Sequence, residues 1–290
     1  MISHYTNFYK DFYRMSNGYI PLWPFKTEAD IGDLFVIRFG QMIKVGNICD
    51  KYFGVYEEID MEDDWQSIMG SWRIQSGISH SFKLKKATNS SGDPYEDAGF
   101  RIQFETMGAY FFDAPKVSQR SIKNFYEFKF KLLQELAAEK FSFKEVFVVT
   151  SMAKVETYSL LISSGNEAYA GISAKEEKDI PRNLKDLTRD EYKGEITDLK
   201  SIHVADISAK GGQLFFQAQK MEVSDQGKEI VRKYLLDNLP ESMRKHTANI
   251  LQYSPTQVLP AINIFPSNVH ELFSFRDMNL DDISKFLGEY

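Results

Sequence analysis

The stretch Ile78-Ser79-His80-Ser81-Phe82-Lys83-Leu84-Lys85 sets mainly apolar side chains at even positions and polar ones at odd positions. After the turn-forming Asn89-Ser90-Ser91-Gly92-Asp93-Pro94 the pattern resumes as Phe100-Arg101-Ile102-Gln103-Phe104-Glu105. A period of two places alternate side chains on one face of a strand, so the two stretches predict amphipathic strands flanking a polar loop. Asn89-Ser90-Ser91 formally matches a glycosylation acceptor, which a cytoplasmic protein is not expected to use.

Toward the N-terminus, Tyr5, Phe8, Tyr9, Phe12 and Tyr13 recur at spacings of three and four and predict a short amphipathic helix, packed on the core or, as the alternative, touching a membrane. Gly18-Tyr19-Ile20-Pro21-Leu22-Trp23-Pro24 is expected to be extended, since a residue before proline is pushed out of the helical region. Residues 32–48 read as strand, turn at Phe39-Gly40-Gln41, and strand.

Toward the C-terminus, a helix is expected from a cap at Ser118 or Ser121 to about Lys140, with a stripe of Phe125, Phe128, Leu132, Leu133 and Leu136. A second hairpin is expected from Val146-Phe147-Val148-Val149 and Tyr158-Ser159-Leu160-Leu161-Ile162, its first strand apolar on both faces and therefore covered. Residues 175–200 read as charged, irregular surface with a short helical piece. A third hairpin is expected from 202–207 and 214–223 about a Gly211-Gly212 turn. Helices are expected over 225–239, 241–253 and 279–287, the last amphipathic through Leu280, Ile283 and Leu287. The fold class expected is α+β: a twisted antiparallel sheet with hairpins, packed by helices.

Of 290 residues, 43% are hydrophobic and 26% charged, the make-up of a chain able to bury a core rather than stay disordered. A net charge of −6 argues against a nucleic-acid partner, whose phosphates are neutralised by Lys and Arg. The single cysteine, Cys49, excludes an internal disulfide and fits a reducing compartment. No run approaches the ~20 apolar residues of a spanning helix, and residues 1–17 lack the apolar core of a signal peptide, so the expected location is cytoplasmic.

Enzymatic chemistry finds little support. His4, His80, His203, His246 and His270 are too dispersed to suggest a zinc site, which needs about four donors at fixed distances. The acidic run 57–64 lacks the alternating ligands and central glycine of a calcium loop and reads as solvated. No phosphate-cradling loop precedes a helix, and Ser163-Ser164-Gly165 lacks the nucleophile-elbow pattern. The chain is expected to be no enzyme and to carry no cofactor, metal or catalytic residue.

The order of elements and several phrases resemble the pore-forming domain of the gasdermins, bacterial members in particular. Phe141-Ser142-Phe143-Lys144-Glu145-Val146-Phe147-Val148-Val149-Thr150 looks like the family's strand entering its second membrane-inserting hairpin. Lys210-Gly211-Gly212-Gln213-Leu214-Phe215-Phe216-Gln217-Ala218 is similar to its glycine turn leading into an apolar-aromatic strand, and residues 18–46 resemble its opening. The resemblance implies a core over 1–265 and an inhibitory tail over 266–290 bearing Leu280, Ile283 and Leu287. It implies an activating protease, a monomer before cleavage, a homo-oligomer afterwards, and movement from the cytoplasm to the inner membrane in antiphage defence or cell death. Ile78, Phe82, Leu84, Phe100, Ile102 and Phe104 would then face membrane lipid. Bacterial gasdermins carry a lipid-modified cysteine near the N-terminus, and Cys49 is far from it. Two other readings stand beside it: a non-catalytic interaction module of a bacterial defence or regulatory system with the same fold, and an enzyme with a dispersed site, which predicts a cleft where histidines or acidic residues converge.

Overall fold

The computed structural model describes residues 4–22, 27–38, 41–51, 53–68, 70–88, 94–138, 146–173, 181, 183–188, 195–238 and 269–286. In chain order these form α1 (Thr6–Met15), β1 (Ile20–Pro21), β2 (Asp33–Arg38), β3 (Gln41–Asn47), β4 (Gln66–Ile68), β5 (Trp72–Ser76), β6 (Ile78–Thr88), β7 (Pro94–Phe104), β8 (Tyr110–Ala114) and β9 (Val117–Ser121). There follow α2 (Phe125–Ala138), β10 (Val146–Ser163), β11 (Ala168–Ser173), a 3-10 turn (Leu184–Thr188), β12 (Glu195–Lys200), β13 (Ile202–Val223) and α3 (Asp225–Asn238). The C-terminal segment supplies a short helix (Val269–Leu272), β14 (Phe273–Asp277) and a last helix (Leu280–Phe286). The architecture is α+β with antiparallel sheets, as the sequence predicts.

Among the described residues ten strands form a large sheet whose spine is the antiparallel pair of β10 and β13. The two stretches expected as a second hairpin are one strand of 18 residues. Lys154 and Glu156, between those two stretches, are exposed side chains of that strand, alternating with buried Val155. The third hairpin is likewise one strand of 22 residues. Gly211 does not turn the chain: a Cβ there would lie 2.0 Å from the Val155 carbonyl oxygen, so glycine lets the two backbones touch. Register shifts along this ribbon bend it so that β2, β9 and β8 pair successively with the other edge of β10.

The helix expected to start at Ser118 or Ser121 starts at Phe125, because both serines lie in β9 and pair with β10. Its predicted stripe is buried, with Phe128, Leu132 and Leu136 in the main core. That core also receives α1 through Phe8 and Phe12, the latter stacked on Phe215 at 4.5 Å. The α1 helix is therefore packed in the interior. Residues 195–200, expected to be irregular, form β12, while the helical piece expected there is the Leu184–Thr188 turn. The helix expected over 241–253 lies outside the described residues.

Candidate functional site

Four strands stand apart from the large sheet, in the order β12-β11-β7-β6, and among the described residues they pair only with one another. Directly opposed residues in an antiparallel pair share a face, so the register assigns each side chain a side. Ile78 opposes Phe104, His80 opposes Ile102 and Phe82 opposes Phe100. Across the other edge of β7, Ala168, Ala170 and Ile172 oppose the same three residues, and Leu199 and Ile196 of β12 continue the row. Over these rows the face is apolar but for His80, whose ring lies 5.4 Å from that of Phe100.

The other face is polar. It carries Ser79 and Ser81 of β6, Arg101 and Gln103 of β7, Tyr169 of β11 and Asp198 and Lys200 of β12. The Arg101 guanidinium lies 4.1 Å from the Tyr169 ring centroid and 3.8 Å from the Asp198 carboxylate. The hydrogen bond between Tyr169 and Asp198 raises the tyrosine pKa.

The apolar face covers a second core, distinct from the main one. Phe100, Ile102, Phe104, Ala170 and Ile172 meet Phe111 of β8, Leu161 of β10, and Leu184 and Leu187 of the 3-10 turn. Phe112 and Leu160, the chain neighbours of Phe111 and Leu161, point to the main core. This stretch of the large sheet is thus covered on both faces, which explains its unbroken apolar runs. The sheet's margins stay open: Phe82 is 40% exposed, Ile196 37% and Leu199 48%.

Of the six candidate lipid-facing residues, then, Phe100, Ile102 and Phe104 are buried, Ile78 is half-buried and Phe82 is exposed. All six, Leu84 included by its strand position, share one face of the β6-β7 pair; the Leu84 side chain lies outside the described residues. Sequence reasoning found this pair through its alternation. It missed β11 and β12 as the other half, since Ala168-Tyr169-Ala170-Gly171-Ile172-Ser173 has small apolar residues and β12 is exposed throughout.

The C-terminal segment is built onto the core. β14 pairs along Gln219–Val223 of β13, and Leu272, Phe273, Met278 and Ile283 are buried. Leu280 packs partly buried against the main core, and Leu287 lies outside the described residues. Asn279 and Asp282 cap the last helix reciprocally: the Asn279 N–H donates to Asp282 Oδ2 and the Asp282 N–H to Asn279 Oδ1. Asp282 also meets Lys220 at 3.0 Å and Arg276 at 2.7 Å, and Arg276 reaches Glu222 at 2.8 Å. Burial opposes ionisation of Asp282, but the hydrogen bonds from Arg276 and the Asn279 N–H and the charge of Lys220 outweigh it and hold the carboxyl below its usual range. The segment is tied to α1 where the Tyr13 hydroxyl donates to the Met278 carbonyl at 3.2 Å.

The residues that sequence reasoning set aside stay mostly apart. The rings of His4 and His203 are 5.0 Å apart, yet among the described residues no three His, Cys, Asp or Glu side chains are grouped to hold a metal ion. The acidic run docks rather than binds: Glu58 pairs with Lys131, and the Glu62 carboxylate accepts the Ser121 N–H. Burial, with Asp30, Asp33 and Asp50 nearby, pushes the Cys49 thiol up to about 11, far from a reactive thiolate. Among the described residues no helix is long and apolar enough to cross a membrane, which leaves crossing by strands untouched.

No family model matches the chain, and no curated protein matches it. Among solved structures it is similar to a bacterial gasdermin from Bradyrhizobium tropiciagri, at 10% identity over 72% of this chain and 85% of that one, with a TM-score of 0.29. It is also similar to the gasdermin A3 membrane pore, at 13% identity over 76% of this chain and 90% of that one, with a TM-score of 0.29. At this identity and TM-score the likeness fixes neither the residues of a site nor an activity.

Proposed function

We propose that the protein is an autoinhibited pore former of the gasdermin kind, serving bacterial antiphage defence and cell death. A protease removes the tail over 266–290 from the core over 1–265, the freed monomers associate, and the four-stranded sheet enters the inner membrane. One observation carries this reading: a sheet with one mainly apolar and one polar face, paired only with itself among the described residues, covering a small core against the large sheet. Transferred to a bilayer, such a sheet exchanges one apolar contact for another. Ile78, Phe82, Leu84, Phe100, Ile102 and Phe104 would face lipid, and Ser79, Ser81, Arg101 and Gln103 would face water. Strands survive in lipid only in a closed barrel, because an open edge leaves backbone groups unpaired. Several copies are therefore needed to close the edges of β6 and β12.

The inhibitory role of the tail is supported by its position along the edge of β13 and by its buried ion pairs. The same pairing favours a second reading. With Ile283 buried and β14 part of the large sheet, the C-terminal end would be ordinary core of a non-catalytic interaction module.

Dye release from liposomes of bacterial lipids separates the two. The full chain carries an engineered protease site at Ser267, ahead of the docked segment. Leakage after cleavage, with none before, is expected. Cut protein that stays folded and monomeric by size-exclusion chromatography and releases no dye would remove the pore reading in favour of the module.

A further inference from the structure

The chain joining β11 to β12 passes through the Leu184–Thr188 turn, and that turn is keyed into the large sheet. The Thr188 hydroxyl donates to the Asp113 carboxylate of β8. The Ser159 hydroxyl of β10 donates to the Leu187 carbonyl at 3.2 Å. Leu184 and Leu187 fill the second core beside Phe111 and Leu161. The anchor is unusual in composition. Asp113 ends the apolar run Tyr110-Phe111-Phe112 with none of its side chain exposed, and its other carboxylate oxygen is 2.6 Å from the Arg73 guanidinium of β5. A buried carboxylate is costly unless its charge and its lone pairs are met. Here Arg73 meets the charge from within the large sheet, and Thr188 meets a lone pair from the turn.

Connectivity makes this contact decisive for any movement of the four-stranded sheet. β11 and β12 cannot leave together while the chain between them stays bound to Asp113 and Ser159. Length points the same way. β6 and β7 have 11 residues each, within the about 9–11 that a spanning strand needs. β11 and β12 have 6 each, so spanning length has to come from chain beyond their ends, and where the two are joined to each other that chain contains the turn.

We propose that the contact between Thr188 and Asp113 is a latch, separate from the C-terminal segment, that holds the four-stranded sheet on the large sheet and sets the delay between activation and insertion. Thr188 and Asp113 are positioning residues, and the latch rests on the pore-forming reading. Removing the segment over 266–290 leaves every group of the latch in place, so cleavage and unlatching are successive events.

The test is the lag between cleavage and dye release, measured on the full chain with the protease site at Ser267. Thr188→Val keeps the volume and removes the donor, and is expected to shorten the lag about tenfold, the scale of one hydrogen bond to a charged group. Thr188→Ser keeps the donor and is expected to restore the parent lag, which a purely packing role would not predict. Ser159→Ala removes the second tie and is expected to shorten the lag independently; it decides the matter if Thr188→Val does not fold. Leakage with the parent lag in both donor-deleting variants overturns the latch and leaves the pore reading standing. Equal shortening in Thr188→Ser and Thr188→Val overturns it too. Absence of leakage from the cleaved parent overturns the pore reading, and the latch with it.

Discussion

Lys220 and Asp282 are 3.0 Å apart with 4% and 1% of their side chains exposed, so an ion pair with almost no water around it joins β13 to the Leu280–Phe286 helix. Removing one member of such a pair strands the other. Asp282→Ala is expected to lower the unfolding free energy by about 3 kcal/mol in urea titrations, since Lys220 loses its nearest counter-charge and the last helix its cap. Lys220→Met combined with Asp282→Leu is expected to recover only the part of that loss due to the stranded Lys220 charge, since the helix cap and the Arg276 pair still lose Asp282. If the docked segment is inhibitory, Asp282→Ala should also leak dye without cleavage.

The same pair predicts a response to acid. The Asp282 carboxyl is held below its usual range, so the unfolded chain binds its proton more readily than the folded one. The stability it contributes is complete above the unfolded value of about 3.9 and is lost as pH falls through the depressed folded value. Thermal melts between pH 6 and pH 3 should show a steeper fall below about pH 4 in the parent protein than in Asp282→Asn.

Phe82 and Ser81 are neighbours in β6 on opposite faces, and Phe82 is 40% exposed. Phe82→Lys should therefore leave the melting temperature of the soluble protein nearly unchanged. On a lipid face it would cost about 2–4 kcal/mol near the bilayer middle, so leakage after cleavage is expected to fall at least tenfold. Ser81→Lys, on the polar face, is expected to leak as the parent does. Equal leakage from both variants would remove the assigned lipid face.

Gly211 and Gly212 are adjacent and respond differently. A Cβ at 211 would lie 2.0 Å from the Val155 carbonyl oxygen, whereas nothing lies within 4 Å of one at 212. Gly211→Ala is expected to cost about 2–3 kcal/mol by forcing β10 and β13 apart. Gly212→Ala should be neutral within about 0.5 kcal/mol. Chemical denaturation of the two variants checks both.

Much of the fold was legible because its cause is local. The α1 helix follows from aromatic spacing, β6 and β7 from alternation, and the buried stripe of α2 from its period. Asp113 also left a local signal, a lone carboxylate closing an apolar strand run, but its meaning depends on Arg73 and Thr188, 40 and 75 residues away in sequence.

By itself the sequence determined which residues form the amphipathic strands and which side chains share a face, because a period of two is a property of the backbone. Only the tertiary structure decided that β10 and β13 are each one continuous strand rather than a hairpin, that β11 and β12 complete the four-stranded sheet, and that β14 lies along β13. These depend on non-local pairing. Whether Gly211-Gly212 turns a chain or lets two strands touch is set by the backbone opposite it, and the sequence around the glycines does not contain that backbone.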